Sequence, residues 1–418
     1  MSSVEALYEE LISAVALAGP RAVLRTRVAY QPVGGPGAKL FPPTYPVSES
    51  ARRAATRDPE DKRPGEDGAT AEGLAQTARG RAVPYVVEVR SVGGQRRWTV
   101  LLDSVASQAN RAESALLAAT RRGRVQVPLL EVEHHGEVSE TLTSLEFPHR
   151  YADAYLRDSV LDGIPFDKSE LGRAMLAASA HDARALYSND PGSLVFGAWN
   201  SHRKGRQQKF PRVYASEVIG WDPVVGARNA GRMDPLNLQG GVKPGRSGED
   251  WEFTSVSSKK KGERLSEIGH GNIAPNEQHG GVTITSAERI ATLSLAALDR
   301  IGFGPVDEAA AVAGRAVLAA YAIMADRLAF GGASLWLRSG CELLVESERL
   351  EWVNRGGDTE RVDVSRDEAI EVYAYAVQRA AKHGLAVSSE PVRLTPASSL
   401  AKAIDFSMTK AATVEDGE

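Results

Sequence analysis

The chain has one cysteine, Cys341, among 418 residues. That excludes an intrachain disulfide and any cysteine-built zinc site, and it fits a reducing compartment. Nucleotide signatures are missing as well. There is no G-x-x-x-x-G-K-[ST] and no G-x-G-x-x-G after a strand, and the GGPGAK stretch has no hydroxyl residue to hold magnesium. Neither H-E-x-x-H nor G-x-S-x-G occurs, and the adjacent pair His134–His135 would point to opposite faces of a strand. A nucleotide-driven motor, a zinc hydrolase and a serine hydrolase built on these signatures are therefore not expected, and no cofactor is. Charge of one sign is also lacking: 50 Lys and Arg against 54 Asp and Glu give a net charge of -4, so any affinity for nucleic acid must come from local clustering.

A targeting segment and a membrane span are not expected either. The N-terminus carries Glu5, Glu9 and Glu10 where a signal peptide needs positive charge, and Val4, Leu7, Leu11 and Val15 recur at helical spacing. The longest apolar stretch, Ala309 to Phe330, is interrupted by Arg315, Asp326 and Arg327, which predicts a buried helix. These features predict a soluble, cytoplasmic protein.

What is present is an alternation of strand and helix patterns broken by two polar excursions. RAVLRTRVAY predicts a strand; PYVVEVRSV and RRWTVLLDSV predict a hairpin turning at Gly93–Gly94; SQANRAESALLAAT predicts a helix ending at Arg121, Arg122 and Gly123. SLVFGAW and VYASEVIGW pattern as strands, ERIATLSLAALDRI is ambiguous, and Cys341 falls in a buried-strand pattern. Helices are expected near Ala309–Phe330 and Arg366–His383. Residues 48–82 have almost no large apolar side chains and predict a mobile insertion; residues 240–272 predict an exposed loop excursion, and 396–418 a frayed tail. The expectation is one elaborated domain over 1–418, with a mixed α/β core carrying long loops.

Two sets of residues could carry chemistry. Asp153, Asp158, Asp162 and Asp167 in the stretch YADAYLRDSVLDGIPFDKSELG could hold a divalent metal for phosphodiester cleavage, yet Asp162 precedes Gly163 as a turn residue does and Asp167 stands where a helix cap is expected. Against that stands HRKGRQQKFPR, residues 202–212, where Arg203, Lys204, Arg206, Lys209 and Arg212 gather with no acid, beside Gly205 for a turn and Phe210 as a stacking surface. Arg228, Arg232 and Lys259–Lys261 follow on nearby loops and would converge with this run into a groove for a phosphate backbone. In LLDSVASQANRAESALL a strand runs into a helix N-terminus suited to phosphate, with Ser107, Gln108, Asn110 and Arg111 as donors.

Four stretches in this order, VLLDSVASQANRAESALL, YLRDSVLDGIPFDKSELG, SLVFGAWNSHRKGRQQKFPRVYASEVIGW and SEIGHGNIAPNEQHGGVTITSAERIATLSLAAL, resemble the CRISPR-associated RAMP backbone subunit, of the Cas-seven group, of type I-G (formerly I-U) Cascade. The resemblance runs from about Arg21 to about Phe330 and finds no counterpart for the 48–82 insertion. It implies an α+β fold with a modified RRM-like, ferredoxin-like palm and long inserted loops forming thumb- or finger-like excursions. It further implies a non-catalytic subunit that polymerises head to tail along CRISPR RNA and supports guide pairing with target DNA in antiviral defence. The implied partners are the large subunit, the subunit that holds the guide end and processes the RNA, and a recruited helicase-nuclease; none is a membrane. The RNA-binding residues expected on this basis are Ser107, Gln108, Asn110, Arg111, His202, Arg203, Lys204, Arg206, Lys209, Arg232, Lys259, Lys260, His270 and Asn272. The alternative is a metal-dependent ribonuclease of the same group using the aspartates between 153 and 167.

Overall fold

A computed structural model describes residues 3–45, 84–137, 139–200, 208–226, 231, 233–236, 238, 241–244, 251–254, 263–265, 270 and 280–415. The 48–82 insertion lies outside the described residues, as do most of 240–272. The chain divides into two compact units where the sequence suggests one elaborated domain: residues 1–36, 101–220 and 286–403 form the first, and 37–100, 221–285 and 404–418 the second. With antiparallel sheets, one mixed sheet and separate helices, the fold class is α+β.

The first unit is built on an antiparallel sheet. Its strands are β1 (Arg21–Pro32), β2 (Tyr214–Trp221, through Gly220), β3 (Ser286–Ser294), β4 (Ser334–Arg338) and β5 (Cys341–Asn354), in the spatial order β4-β5-β1-β3-β2. Along β1 and β3 buried and less buried residues alternate, the period-2 signature of a sheet covered on one face. The other face of β1 carries arginines matched to acids on the neighbouring strands: Arg25 Nη2 lies 2.5 Å from Glu351 Oε1 and Arg27 Nη2 lies 2.6 Å from Glu288 Oε1. Glu351 is shared with Arg349 at 2.5 Å, which lets a carboxylate stay buried on a sheet face.

Four helices accompany this sheet: α1 (Ser3–Val15), α2 (Val105–Arg121), α3 (Glu308–Phe330) and α4 (Arg366–Lys382). The pattern that predicts a buried helix at Ala309–Phe330 is answered by α3, which packs against the other three. By length and composition α3 could cross a membrane, but 89% of its apolar window is buried inside the protein. Its many alanines bring the neighbouring helices close, and Tyr321 meets Tyr373 of α4 edge to face at 5.8 Å. Helix α4 begins with a capping box, Ser365 and Glu368 each bonding the other's backbone N–H. Cys341 is fully buried at the head of β5, and burial pushes its thiol up to about 11.

A second, mixed sheet of the first unit orders Ser139–Thr143, Leu130–His135, Val392–Pro396, Ser159–Leu161 and Ile164–Pro165. His134 is buried in it and His135 exposed, as alternation requires. The second unit, taken by itself, holds the hairpin Val87–Val92 with residues 95–100, turning at Gly93 and Gly94 with φ of 58° and 80°. It also holds a short sheet of Gly241–Pro244, Trp251–Thr254 and Glu263–Arg264 inside the expected excursion. In this unit Arg97 lies 4.7 Å over the Trp221 ring and pairs with Asp222 at 2.5 Å.

Two expectations about elements need correction. The apolar run in SLVFGAW is not a strand: Pro191–Val195 is helical, with Asp190 as N-cap and Pro191 in its first turn, and only Ala198–Asn200 is extended. The cap-plus-proline signal outweighed the apolar pattern. Residues 398–415, expected to fray, form the helix Ser398–Glu415, whose alanines and lysines favour that state. The ambiguous ERIATLSLAALDRI splits into β3 and a helix Leu295–Asp299, capped by Ser294 through the N–H of Ala297.

Candidate nucleic-acid interface

The expected phosphate-binding terminus is the start of α2. Ser104 caps it, accepting from the Ser107 N–H at 3.2 Å, and Asn110 is exposed one turn on while Ser107 is half-buried. Gln108 is another matter. Its side chain is fully buried, Nε2 donates to Asp103 Oδ2 at 2.5 Å, and Oε1 accepts from Ser216 Oγ at 3.0 Å and Arg289 Nε at 2.9 Å. Its amide is spent inside the core, so the expectation of Gln108 as an RNA donor is corrected to a structural role. Arg111 donates to Asp103 Oδ2 at 2.8 Å and to the Leu337 carbonyl at 2.8 Å, so its charge is held by a carboxylate that is itself fully buried. Arg338 approaches the other Asp103 oxygen at 3.6 Å. The anion that α2 receives at its start is therefore the chain's own Asp103, and Ser107 and Asn110 are the outward-facing members of the predicted four.

Behind this terminus Arg289, 0% exposed, bonds Asp326 at 2.5 Å and the Tyr214 hydroxyl at 2.7 Å, and lies 3.8 Å over the Phe330 ring. Arg327 and Glu348 extend the network, at 2.5 Å and 2.8 Å. Burial alone would raise the Asp326 carboxyl, but the guanidinium groups of Arg289 and Arg327 reverse that and hold it well below the usual carboxylate range. This network fixes β2, β3, α2 and α3 to one another.

The described part of the basic run, from Gln208 on, starts on a strand of a small hairpin. Ala198–Asn200 pairs antiparallel with Gln208–Phe210, placing Trp199 directly opposite Lys209. The inner face is Phe210 and Gln208: Phe210 is buried and meets Tyr151 edge to face at 6.2 Å, while Gln208 accepts from the Tyr151 hydroxyl at 3.1 Å and donates to the Leu176 carbonyl at 2.8 Å. Phe210 as a stacking surface is thereby corrected, since its ring is already packed. The outer face is Trp199, 57% exposed, and Lys209, whose ammonium lies 5.8 Å from the indole centroid. The hairpin's root is tied to α2: Arg150 grips Glu113 with both nitrogens, at 2.6 Å and 2.9 Å, and donates to the Gly197 carbonyl at 2.8 Å. Burial pushes the Glu113 carboxyl up to about 7 in spite of that grip.

Of the remaining expected residues, His202, Arg203, Lys204, Arg206, Arg232, Lys259, Lys260 and Asn272 lie outside the described residues. His270 is described and exposed; its N–H donates to the Leu265 carbonyl at 2.8 Å. The expected convergence of the three basic loops falls mostly outside the described residues. Trp199 went unnoticed in the sequence; the signal was there, an aromatic three positions before a basic run, but exposure is not visible in a string of letters.

The aspartates of the competing metal-site reading are occupied singly. Asp153 is buried and caps Ala154–Arg157, accepting from Tyr155 N and His149 N at 2.9 Å each. Asp158 pairs with Arg157 at 2.6 Å, and that hydrogen bond draws its carboxyl below the ordinary value. Asp162, at φ 51°, makes the turn between Leu161 and Ile164 with Gly163. The cap expected of Asp167 belongs instead to Ser169, whose hydroxyl accepts from Gly172 N. Among the described residues no group of three or more His, Cys, Asp or Glu could hold a metal ion.

The class these elements define is an α+β unit that presents an exposed aromatic and a lysine on one face of a small hairpin. The comparison with known families narrows it. Residues 24–224 match the family model of CRISPR-associated protein GSU0053. No curated protein matches the chain. The match spans α2 and the hairpin, while Arg232, Lys259, Lys260, His270 and Asn272 lie beyond it.

Proposed function

We propose that this chain is a non-catalytic, CRISPR-RNA-binding backbone subunit of a type I-G Cascade surveillance complex. On this reading its first unit is the RRM-like palm, copies of it line up head to tail along the guide, and pairing between guide and target DNA reads sequence while the protein holds backbone. The large subunit, the guide-end subunit and a recruited helicase-nuclease complete the assembly in the cytoplasm. The match of residues 24–224 to a CRISPR-associated family model supports the setting. The observation that carries the binding role is the two-faced hairpin: its inner residues are locked, and its outer face offers Trp199 and Lys209 at the two ends of a run holding Arg203, Lys204 and Arg206 and no acid.

The test is to purify the full chain with and without a co-expressed CRISPR repeat–spacer transcript, then to measure absorbance ratio and molar mass. Protected RNA of guide length in particles of several protomers supports the reading. RNA-free protein in both preparations, persisting when the other Cascade subunits are added, overturns it.

A further inference from the structure

We infer that Trp199, with Lys209 opposite it and Arg212 at the root of its hairpin, is a stacking station for an unpaired base of a single-stranded nucleic acid. The indole takes the face of the base and the two cations take the adjoining phosphates. This rests on the nucleic-acid-binding reading above and adds to it the residue that distinguishes single strand from duplex.

The first ground is that Trp199 is exposed without being loose. A tryptophan 57% exposed on a hairpin of three-residue strands could be a side chain with nowhere to pack. Here the opposite face of the same hairpin is fixed at Phe210, Gln208 and the Gly197 carbonyl, each with a named partner on Tyr151, Leu176 or Arg150. The indole is therefore held outward by a frame already ordered, so little conformational freedom is lost when a ligand arrives.

The second ground is charge. Lys209 is exposed opposite Trp199, and Arg212 is exposed two residues beyond the hairpin; among the described residues neither has an ion-pair partner. That is unlike Arg25, Arg27, Arg111 and Arg150, each of which is matched by an acid. An unmatched cation against an exposed aromatic, with a second beside Gly197 at the root of the same hairpin, fits a polyanion that also presents π-faces. Proteins and lipids offer no such repeat of ring and phosphate, and in a duplex the base faces are covered by their neighbours.

The experiment uses the full chain and two fluorescein-labelled probes, an unstructured oligouridine and a perfect RNA duplex, titrated over a salt series. Trp199→Ala should bind the single strand about 5- to 150-fold more weakly, with the slope of log affinity against log salt unchanged, and Trp199→Phe should recover most of the loss. Lys209→Ala should instead lower that slope by about 0.7. Because the indole is exposed, both tryptophan variants should melt where the unmodified protein does, which separates binding from folding. If the unmodified chain binds the oligouridine and Trp199→Ala binds it equally well, the stacking station is overturned while the binding reading stands. If the unmodified chain binds neither probe, both fall. An RNA-free preparation whose molar mass drops on Trp199→Ala would assign the indole to contact between copies, and would also overturn the proposal.

Discussion

Arg289 Nε donates to Gln108 Oε1 across 2.9 Å, joining two residues 181 positions apart inside the first unit. The same amide donates to the buried Asp103, so removing it strands the Arg289 Nε–H and takes one of the hydrogen bonds from a carboxylate that Arg111 still holds. Gln108→Ala should therefore lower stability by about 1–3 kcal/mol in a denaturant titration. Asn110→Ala, two residues on and exposed, should stay within about 0.5 kcal/mol. Equal stability of the two variants would place Gln108 outside the core network.

Asp326 is the anion that Arg289 and Arg327 share, and Asp326→Asn leaves Arg289 without a carboxylate and Arg327 with Glu348 alone. A loss of about 3–5 kcal/mol is expected at neutral pH. Because the folded carboxyl lies below its ordinary value, its contribution is present at neutral pH and disappears as pH falls through the ordinary range and below. The gap between the variant and the unmodified protein should thus narrow in acid, as measured by unfolding midpoints from pH 7 to pH 3.

Glu113 has the opposite sign. Its carboxyl is raised from 4.5 to about 7, so the folded chain holds that proton more tightly than the unfolded chain does. Its contribution to stability should fall as pH rises from about 4.5 to about 7, by on the order of 3 kcal/mol, and stay low above that. Glu113→Gln should remove this slope, a difference read from parallel unfolding curves at pH 5 and pH 8.

Gly197 has φ 84°, and a Cβ placed there would stand 2.9 Å from Arg212 Cγ and 3.1 Å from the Phe210 carbonyl oxygen. Gly197→Ala should cost about 1–3 kcal/mol and shift the hairpin. Its affinity for oligouridine should fall along with its melting temperature. A variant that melts normally and binds normally would mean the root does not position Trp199.

The acidic stretch gives the last prediction. Asp158 and Asp162 serve an ion pair and a turn, so Asp158→Ala and Asp162→Ala should leave RNA binding unchanged and alter no cleavage in magnesium or manganese. Metal-dependent RNA cleavage by the unmodified chain that either variant abolishes would return the nuclease reading.

What could be read from the residues alone is what depends on near neighbours in the chain. Gly93–Gly94 between two β-rich runs gave a hairpin because two positive φ angles suffice to turn it. Helix α2 could be placed from its helix-forming residues and glycine stop, α3 from its long apolar stretch, and Asp162 as a turn residue from the glycine after it. The motif order that suggested a CRISPR-associated family was equally legible, and the family match bears it out.

Burial and pairing were not legible, because they are settled by residues far away in the sequence. Gln108 and Asn110 are both amides on the same turn of α2, yet Arg289 and Asp103 claim one while the other faces out. Phe210 and Trp199 are both aromatics beside the basic run, and Tyr151 decides which is packed. The sequence determined most of the elements, the turns and the match to a CRISPR-associated family model, since these follow from local conformational preference and motif. Tertiary structure alone decided which polar groups are consumed in the core and which aromatic stands exposed between cations, since desolvation and pairing belong to the folded chain as a whole.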